Sequence, residues 1–458
     1  MRIELCDMLR DPDRLADALK AELHGPHSAI CGMATHTDEV RQGDLFVALE
    51  GNRESGTVYL DQALAAGAVG AVAPVRVRLP AGAMHFAVED SAAALLRAAA
   101  YRRRRSRAFV IAISGSTGKT TAKEGIAALL AEKGEVSYTQ GNFNSSVGLP
   151  LSLLSFAESD YFVLELGINH VGEMEPMARC VSPDLAVITN VGTAHLGQFG
   201  SVAVLTEEKL KLTAFLSDKG RCILPIGLQN EALPCLRERV LWNGKGGQLH
   251  LDNIVNHPNG LCGDLTVGDR VITNIGWPIP GKAGAAAATA IAGVGALLGM
   301  EDEILRRALW RAGEHTPRMK TRQIGGYVVI DDCYNASPDS VEGALEILLY
   351  RAEGRPTAAI LGDMLELGAH SRALHFRIGQ AVARQGIRYL FTYGNEAVQY
   401  AAGAIAAGMP EDRVFCFEKS EAEALIKALQ ARVPQGSVLL LKGSGGMRMQ
   451  SLVQMLGG

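Results

Sequence analysis

The chain has 458 residues, of which 48% are hydrophobic and 21% are charged, and its formal net charge is −4. This composition is typical of an ordinary soluble globular protein, and at about 150 residues per domain the length predicts three domains. The charge gives no electrostatic reason to expect a nucleic-acid or membrane partner. Because the N-terminus has no signal-peptide pattern and no apolar run approaches ~18 residues, we expect a cytoplasmic protein that does not span a membrane.

The cysteines and one basic run add little to this picture. The eight cysteines are scattered, with no Cys-x-x-Cys pair and no metal-ligand spacing, which is typical of reduced thiols in the cytoplasm. Residues 102–105, together with Arg107, form a run of arginines before the central part of the chain. We favour a solvated helix end at a domain junction over a polyanion site for this run.

The first 85 residues predict a small α/β domain. A helix is expected over residues 12–23, and a short buried strand over residues 43–49. A second helix is expected over residues 60–66, and a second strand over residues 67–72. This unit is too short to hold a complete nucleotide site.

Residues 86–314 predict a larger domain built on a mostly parallel sheet. Strand and helix patterns alternate there, which places helices on both faces of the sheet. The predicted strands cover residues 108–113, 161–167 and 184–190, and the predicted helices cover residues 120–132 and 283–298.

Residues 315–458 predict a third, Rossmann-like domain. Four apolar runs have the length of buried strands, with helical stretches between them, and they cover residues 327–332, 357–362, 389–393 and 437–442. The predicted fold class is therefore α/β, with a small N-terminal domain, a central P-loop-type domain and a C-terminal Rossmann-like domain.

A phosphate-binding loop follows the strand at residues 108–113. Its glycines allow backbone N–H groups to surround an anion at a helix N-terminus, its lysine supplies a positive charge, and its first threonine can offer a hydroxyl to Mg²⁺. The alternative is a glycine-rich strand-to-helix turn with an unrelated lysine. The residues are Gly115, Ser116, Thr117, Gly118, Lys119, Thr120 and Thr121, and the spacing is shorter than that of the common Gly-x-x-x-x-Gly-Lys pattern.

Polar residues follow two further strands of the central domain, where ligands bind in open α/β sheets. Glu165 ends an apolar run and is a candidate Mg²⁺ ligand, or else a salt-bridged glutamate. Asn190 ends another run and His195 follows it, as a functional or a purely structural histidine. The loop that contains Asn142 and Asn144 is either part of a site or a simple turn cluster.

The third domain has similar strand ends. Asp332, Tyr334, Asn335 and Ser337 lie at or directly after an apolar strand, in a segment too polar for a core. Residues 361–364 and 441–444 also close predicted strands. Ligand contacts are expected at these positions.

These motifs together resemble the Mur ligases of peptidoglycan synthesis, and in particular the branch that adds a dipeptide. The resemblance covers nearly the whole chain in the expected order. The motifs are ISGSTGKTTAKE, TQGNFNSSVGLPLSLL, LELGINHVGE, ITNVGTAHLGQFGS, DDCYNASPDS, LGDMLELG and LKGS.

The resemblance implies an ADP-forming ligase that joins D-alanyl-D-alanine to a UDP-N-acetylmuramoyl tripeptide through an acyl phosphate. ATP and Mg²⁺ would be its cofactors, its other partners would be small molecules, and it would act as a monomer. The first domain would bind the UDP-linked substrate. The third domain would close over the nucleotide and the dipeptide.

The resemblance also assigns roles to individual residues. Lys119 would hold the phosphates, Thr120 and Glu165 would bind one Mg²⁺, and His195 would help to bind a second. Lys209 aligns with a family lysine that carries a carbamate, and an unmodified exposed lysine is the alternative, since Lys211 replaces a nearby family glutamate. The remaining implied contacts are Asn190, Arg318 and Asp332 for the nucleotide and Asn142, Asn144, Tyr334, Asn335 and Ser337 for the other substrates.

Several recognition positions depart from the family pattern. Ala287 stands where an asparagine would contact adenine, a loss worth about 1–3 kcal/mol if nothing compensates. Gly445 replaces an arginine and Ser145 replaces an asparagine. Residues 36–38, His-Thr-Asp, stand where Asp-Ser-Arg is usual, on the uridine side.

Two other functions remain open from the sequence. The chain could be a Mur-type ligase for a different carboxylate or amine, or a nucleotide-binding protein with little catalysis. The retained Lys119, Thr120, Glu165, His195 and Lys209 favour catalysis, whereas the altered recognition residues favour the alternatives.

Overall fold

The structure is a computed structural model that describes residues 1–51, 54–193, 196–229, 239–316 and 319–457. Its strands form three separate sheets, and most neighbouring strands in them are parallel. Helices pack around each sheet. The predicted α/β class and three-domain architecture are confirmed.

The first sheet has six strands in the order β1-β3-β4-β5-β6-β2. Its four central strands are parallel, and the two edge strands are antiparallel to their neighbours. The elements are β1 (Arg2–Glu4), α1 (Pro12–Leu19), β2 (Glu22–His24), β3 (Gly32–Ala34), β4 (Asp44–Val47), α2 (Leu60–Ala65), β5 (Gly70–Pro74), β6 (Met84–Val88) and α3 (Ser91–Arg105).

The first predicted helix is too long. Helix α1 ends at Leu19 because Lys20 adopts a left-handed conformation with φ 56°. Residues 22–24 form β2, which pairs with β6 and closes one edge of the sheet. No glycine marks this end of the helix in the sequence, and the helical spacing of apolar residues continues past it.

The second sheet has nine strands in the order β15-β14-β13-β12-β11-β10-β7-β9-β8. Strands β7 to β12 are parallel, as predicted, and β13 to β15 extend the sheet as an antiparallel meander that the sequence analysis missed. The elements are β7 (Phe109–Ser114), α4 (Lys119–Leu130), β8 (Val136–Tyr138), α5 (Gly148–Ser155), β9 (Tyr161–Glu165), α6 (Met174–Val181), β10 (Leu185–Ile188), α7 (Leu196–Phe199), α8 (Val202–Leu210), β11 (Arg221–Pro225), β12 (Val240–Asn243), β13 (Leu249–His257), β14 (Gly260–Val267), β15 (Arg270–Trp277), α9 (Gly281–Leu297) and α10 (Asp302–His315).

The third sheet has six strands in the order β16-β17-β21-β18-β19-β20. Five of them run parallel and β16 is an antiparallel edge. The elements are β16 (Lys320–Ile324), β17 (Tyr327–Asp332), α11 (Pro338–Ala352), β18 (Thr357–Gly362), α12 (Ser371–Arg384), β19 (Tyr389–Tyr393), α13 (Val398–Ala406), β20 (Val414–Phe417), α14 (Ala422–Arg432), β21 (Val438–Lys442) and α15 (Gln450–Gly457).

Apolar packing joins the three parts. One buried cluster contains Ile113 of β7, Ala288 of α9, Leu345 of α11 and Leu361 of β18, so it runs from the second sheet into the third. A second cluster packs the first sheet against Leu151 and other residues of α5. Because these apolar side chains are removed from water, their burial stabilises the packing between the three domains.

The arginine run forms the last turn of α3 at the junction between the first and second sheets. Arg102 is buried and donates to the carbonyl oxygens of Phe156 and Ala157. Arg103 donates to the carbonyl oxygen of Val181 at the end of α6 and pairs with Asp184. These two arginines stabilise the junction from within, so only part of the run is a solvated helix end.

Candidate active site

The phosphate loop lies between β7 and α4 in the predicted position. Gly115 has φ 148°, and a Cβ atom there would lie 2.0 Å from Oγ1 of Thr189. Gly118 has φ 77° and directly precedes the first residue of α4. Both positions favour glycine, since other residues rarely adopt these φ angles and Gly115 has no room for a side chain. The loop therefore presents backbone N–H groups at the N-terminus of α4.

Thr189 and Asn190, which directly follow β10, hold this loop in place by hydrogen bonds. Asn190 Oδ1 accepts from the Thr117 backbone N–H at 2.8 Å, and Asn190 Nδ2 donates to Thr117 Oγ1 at 2.6 Å. The Ser116 backbone N–H donates to the Asn190 carbonyl oxygen at 3.0 Å. Thr189 Oγ1 donates to the Thr117 carbonyl oxygen at 2.6 Å. In this structure Asn190, predicted to contact the nucleotide, fixes the shape of the loop that would bind it.

Two lysines converge on one carbonyl group of the loop. Lys119 Nζ donates to the Gly115 carbonyl oxygen at 2.8 Å, and Lys209 Nζ donates to the same oxygen at 3.0 Å. Lys209 is 2% exposed, at the end of α8. Burial lowers the pKa of Lys209 well below its ordinary 10.5, and the charge of Lys119 lowers it further, against the opposing effect of Glu208. The Lys209 amine is therefore biased toward its neutral, nucleophilic form.

Glu165 provides a buried carboxylate beside the loop. It is 1% exposed, and its Oε1 accepts from Asn144 Nδ2 at 2.7 Å and from Thr120 Oγ1 at 3.4 Å. Its Oε2 is buried and has no hydrogen-bond partner among the described residues. Mg²⁺ favours carboxylate and hydroxyl oxygens together with phosphate oxygens, so this carboxylate and Thr120 fit such an ion.

A second layer of contacts holds Glu165 in place. The Glu165 backbone N–H donates to Thr139 Oγ1 at 3.1 Å. Lys123, which is fully buried, donates from Nζ to the Thr139 carbonyl oxygen at 2.6 Å. This supporting contact of Lys123 with Thr139 was not predicted, although Lys123 lies within the phosphate-loop motif.

Predicted substrate residues of the third domain lie together after β17. Asp332 and Lys442, at the ends of adjacent parallel strands, form a buried ion pair. Lys442 Nζ also donates to the Asn335 carbonyl oxygen at 2.9 Å. Ser337 directly precedes α11, and Tyr334 is 49% exposed. Tyr334, Asn335 and Ser337 lie in one loop directly after Asp332, the last residue of β17, and Lys442 fixes the base of this loop.

The N-terminus of α11 meets the central domain. Asp339 Oδ2 accepts from the Thr193 backbone N–H at 3.1 Å and from Thr193 Oγ1 at 3.5 Å. The neighbouring Gly192 backbone N–H donates to Ser116 Oγ at 3.0 Å, within the phosphate loop. The third domain is thus connected to the phosphate loop by two consecutive residues. Asp339 lies within the motif DDCYNASPDS, but no role was predicted for it.

The other predicted residues are distributed as follows. Thr121 lies in the first turn of α4. Asn142 is exposed in the loop before α5, and Asn144 lies in the same loop. His195 and Arg318 lie outside the residues that the structure describes. Three carboxyl strand ends of the central sheet, those of β7, β9 and β10, therefore supply the phosphate loop, Glu165 and Asn190.

Comparisons with known proteins agree with this geometry. Residues 113–295 match the family model "Mur ligase middle domain", and residues 317–445 match "Mur ligase, glutamate ligase domain". The chain belongs to the Mur ligase family, as its motifs predicted.

The full-length relatives specify the branch. The chain is 31% identical to the UDP-N-acetylmuramoyl-tripeptide–D-alanyl-D-alanine ligase of Bacillus subtilis (strain 168), over 97% of this chain and 98% of that protein. It is 30% identical to the ligase of the same name from Escherichia coli (strain K12), over 97% of each chain.

Solved structures give the same result. MurF from Acinetobacter baumannii superposes with a TM-score of 0.87 at 28% identity, over 99% of each chain. MurF ligase from Thermotoga maritima in complex with ADP superposes with a TM-score of 0.79 at 27% identity, over 93% of this chain and 96% of that one. The dipeptide-adding branch predicted from the motifs is therefore the branch to which the similarity points.

Proposed function

We propose that this protein is an ATP-dependent, ADP-forming ligase that joins D-alanyl-D-alanine to a UDP-N-acetylmuramoyl tripeptide in peptidoglycan precursor synthesis. The observation that carries this proposal is the grouping of the phosphate loop, the buried Glu165 carboxylate and the buried Lys209 amine at one sheet edge. Similarity to dipeptide-adding ligases over 97% of the chain supports the choice of substrates.

The chemistry follows from the poor reactivity of a carboxylate. An oxygen of the tripeptide carboxylate attacks the γ-phosphorus of ATP, and ADP leaves. The dipeptide amine then attacks the carbonyl carbon of the acyl phosphate, loses a proton, and inorganic phosphate leaves as the amide bond forms. The protein contributes mainly positioning and charge neutralisation.

Lys119 would neutralise charge on the transferred phosphoryl group. In the structure its ammonium is held by the Gly115 carbonyl oxygen, within the loop that it would serve. The N–H groups at the start of α4 would hold the other phosphate oxygens. The loop is braced by Asn190, so little reorganisation would be needed on binding.

Mg²⁺ would be held by Thr120 and Glu165, with His195 at a second ion. The support is the buried Glu165 Oε2, which has no hydrogen-bond partner in the described part of the chain and lies beside the Thr120 hydroxyl. When bound, the metal supplies positive charge to the phosphate oxygens. Asn144 keeps the Glu165 side chain oriented from the other side.

Lys209 would carry a carbamate, as the family resemblance implies. Its neutral amine would attack CO₂, form the N–C bond and release one proton, which converts a buried base into an anion. The lowered pKa of Lys209 favours the neutral amine that this step needs. The resulting anion would support the second metal ion.

The domains would share the substrates. Residues 1–85 would bind the UDP-linked peptide, residues 86–314 would bind ATP, and residues 315–458 would close over the nucleotide and D-alanyl-D-alanine. The altered positions at 36–38, Ala287 and Gly445 would change how uridine, adenine and acceptor are recognised. The protein would act as a monomer in the cytoplasm. None of the described helices is long and apolar enough to cross a membrane.

Phosphate release tests the proposal. Purified protein is mixed with ATP, Mg²⁺ and UDP-N-acetylmuramoyl tripeptide, with and without D-alanyl-D-alanine, and inorganic phosphate is measured. We expect sustained release only when both substrates are present. The variant Lys119→Ala should lose this activity, while Lys133→Ala, which changes an exposed lysine beyond α4, should keep it.

The other outcomes separate the alternatives. Release with a different amine or a different carboxylate would indicate a Mur-type ligase of other specificity. Nucleotide binding without turnover under any amine would contradict the proposal and leave a binding protein.

A further inference from the structure

A loop of the third domain, residues 363–368, docks on helix α7 of the central domain. The Gly197 backbone N–H of α7 donates to the Glu366 carbonyl oxygen at 3.2 Å. The approach is tight, since a Cβ atom on Gly197 would lie 2.7 Å from the backbone nitrogen of Gly368. Within the third domain, the Leu365 backbone N–H donates to Ser444 Oγ at 2.8 Å. The loop therefore connects two strand ends of the third sheet to the central domain.

A fully buried histidine holds this loop from behind. His375 of α12 is 0% exposed, and its Nε2 accepts from the Met364 backbone N–H at 3.0 Å. Its Nδ1 lies 2.8 Å from the Ser371 carbonyl oxygen, one helical turn earlier. A backbone N–H can only donate and a carbonyl oxygen can only accept, so these partners require a neutral ring with its proton on Nδ1. A proton on Nε2 would break the bond to Met364.

The groups around His375 are themselves fixed by hydrogen bonds. The Asp363 carboxylate, at the end of β18, accepts from the backbone N–H groups of Ala397 and Asn395 at 2.7 and 3.2 Å. The ring of Tyr400, in α13, packs against the His375 ring at a tilt of 49° with 4.7 Å between centroids, and its hydroxyl donates to the Gly362 carbonyl oxygen at 3.1 Å. Glu396 accepts from Ser371 Oγ at 3.0 Å.

These neighbours act on His375 in opposite directions. Burial lowers its pKa below 6.5, and this effect exceeds the contributions of Ser371, Asp363 and Glu396, which raise it. Burial also raises the pKa of Asp363 and, more strongly, that of Tyr400. Tyr400 is therefore uncharged near neutral pH. The side chain that carries the contact to Met364 is a neutral imidazole.

We propose that His375 is a positioning residue for ligation: as a neutral imidazole it holds residues 363–368 in the shape that docks on Gly197, and so couples the third domain to the central one. The inference rests on the proposed function for its effect on turnover, because closure would assemble the site. The structural part of the inference, that His375 holds the loop, does not depend on any activity.

Three variants test this role. His375→Gln keeps a neutral acceptor for Met364, and His375→Leu has similar volume but no acceptor. The control Tyr327→Phe removes a buried hydroxyl of the same domain that donates to the Val433 carbonyl oxygen and contacts neither His375 nor the loop. Amide hydrogen exchange is measured at Met364 and Gly197 in the ligand-free protein, and kcat and KM are measured for ligation. Melting temperatures report whether each variant is folded.

We expect His375→Leu to exchange at least about tenfold faster at Met364 and at Gly197, and to lose at least about tenfold in kcat with little change in ATP affinity. His375→Gln should stay within about threefold of the unchanged protein in both measurements, and Tyr327→Phe should leave the loop's exchange unchanged. Equal losses in the Gln and Leu variants, or a normal loop in the Leu variant, would overturn the proposal.

The proposal can also be tested if a variant does not fold or if ligation is absent. If His375→Leu does not fold, His375→Gln alone decides: native exchange at Met364 supports the role and fast exchange overturns it. If the unchanged protein shows no ligation at all, the proposed function has failed, and the exchange measurements still decide whether His375 holds the loop.

Discussion

At the scale of single residues, burial rather than residue type distinguishes the important side chains. Lys119 and Lys209 contact the same carbonyl oxygen, but Lys119 is only partly buried whereas Lys209 is buried, and this burial lowers the pKa of Lys209 well below its ordinary value. Glu165 is buried beside a hydroxyl with one oxygen that lacks a partner among the described residues. Burial of this kind beside a phosphate loop is typical of side chains with a chemical role.

The sequence predicted part of this environment. The position of Glu165 was predicted because a polar residue at the end of an apolar strand indicates the ligand edge of an α/β sheet, and the phosphate loop was predicted from its glycine and lysine pattern between a strand and a helix. Asp339 and His375 were missed, because the partner of a helical side chain depends on which element packs against that helix. Nothing in the local sequence specifies that Asp339 faces Thr193 or that His375 faces Met364.

The pKa of His375 predicts how stability depends on pH. The folded protein binds the His375 proton less tightly than the unfolded chain does, so the free energy of unfolding should fall as the pH drops below about 6.5, by at most ~1.4 kcal/mol per pH unit. His375→Gln removes this contribution of the imidazole to the free energy of unfolding. Urea unfolding from pH 7.5 to 5 should therefore show a smaller loss in the variant, and parallel curves would contradict this account.

At the scale of elements, apolar patterning predicted most of the strands that are buried throughout, but it missed β6, which is buried along its whole length. Strands β17, β18 and β19 have the predicted bounds, since a continuous apolar run of this length is typical of a strand buried on both faces. Strands β1, β2 and β3 have three residues each, too few to show a period. The meander β13 to β15 alternates polar and apolar residues around glycine turns, a hairpin signal that was overlooked.

The strand-to-helix turn of the phosphate loop gives a prediction at this scale. Gly115→Ala should destabilise the protein by about 1–3 kcal/mol and abolish ATP binding, because the residue has φ 148° and its new methyl group would meet Thr189 Oγ1. Gly172→Ala is the matched control, with φ 94° and open space around the Cβ position. Thermal unfolding and ATP titration separate the clash from backbone strain. Similar behaviour of the two variants would show that the close approach to Thr189 is unimportant.

At the scale of the whole molecule, length predicted the number of domains, but not how they pack together. The third domain contacts the central one at several points through α11. Asp339 accepts from Thr193, Glu346 accepts from the Lys282 backbone N–H, and Arg351 donates to the Pro278 carbonyl oxygen. Because Thr193 directly follows Gly192, whose backbone N–H donates to Ser116 Oγ, the position of the third domain is linked to the phosphate loop.

Asp339→Ala tests this link between domains. Removing the carboxylate should speed amide exchange at Thr193 by about tenfold and weaken the affinity for ATP, while the melting temperature changes little, since the contact is only partly buried. Glu342→Ala, on the same helix with an exposed partner, Arg377, is the control and should leave Thr193 unaffected. Unchanged exchange at Thr193 in Asp339→Ala would mean that the link does not constrain the loop.

The central claim is that the phosphate loop directs the γ-phosphoryl group of ATP to a peptide carboxylate. The direct measurement uses UDP-N-acetylmuramoyl tripeptide labelled with ¹⁸O in its terminal carboxylate, with ATP, Mg²⁺ and D-alanyl-D-alanine, and determines the mass of the inorganic phosphate released. We predict that each phosphate formed by ligation carries one oxygen from the peptide carboxylate, since the acyl phosphate transfers it. Phosphate without the label, at the same yield of ligated product, would contradict the account.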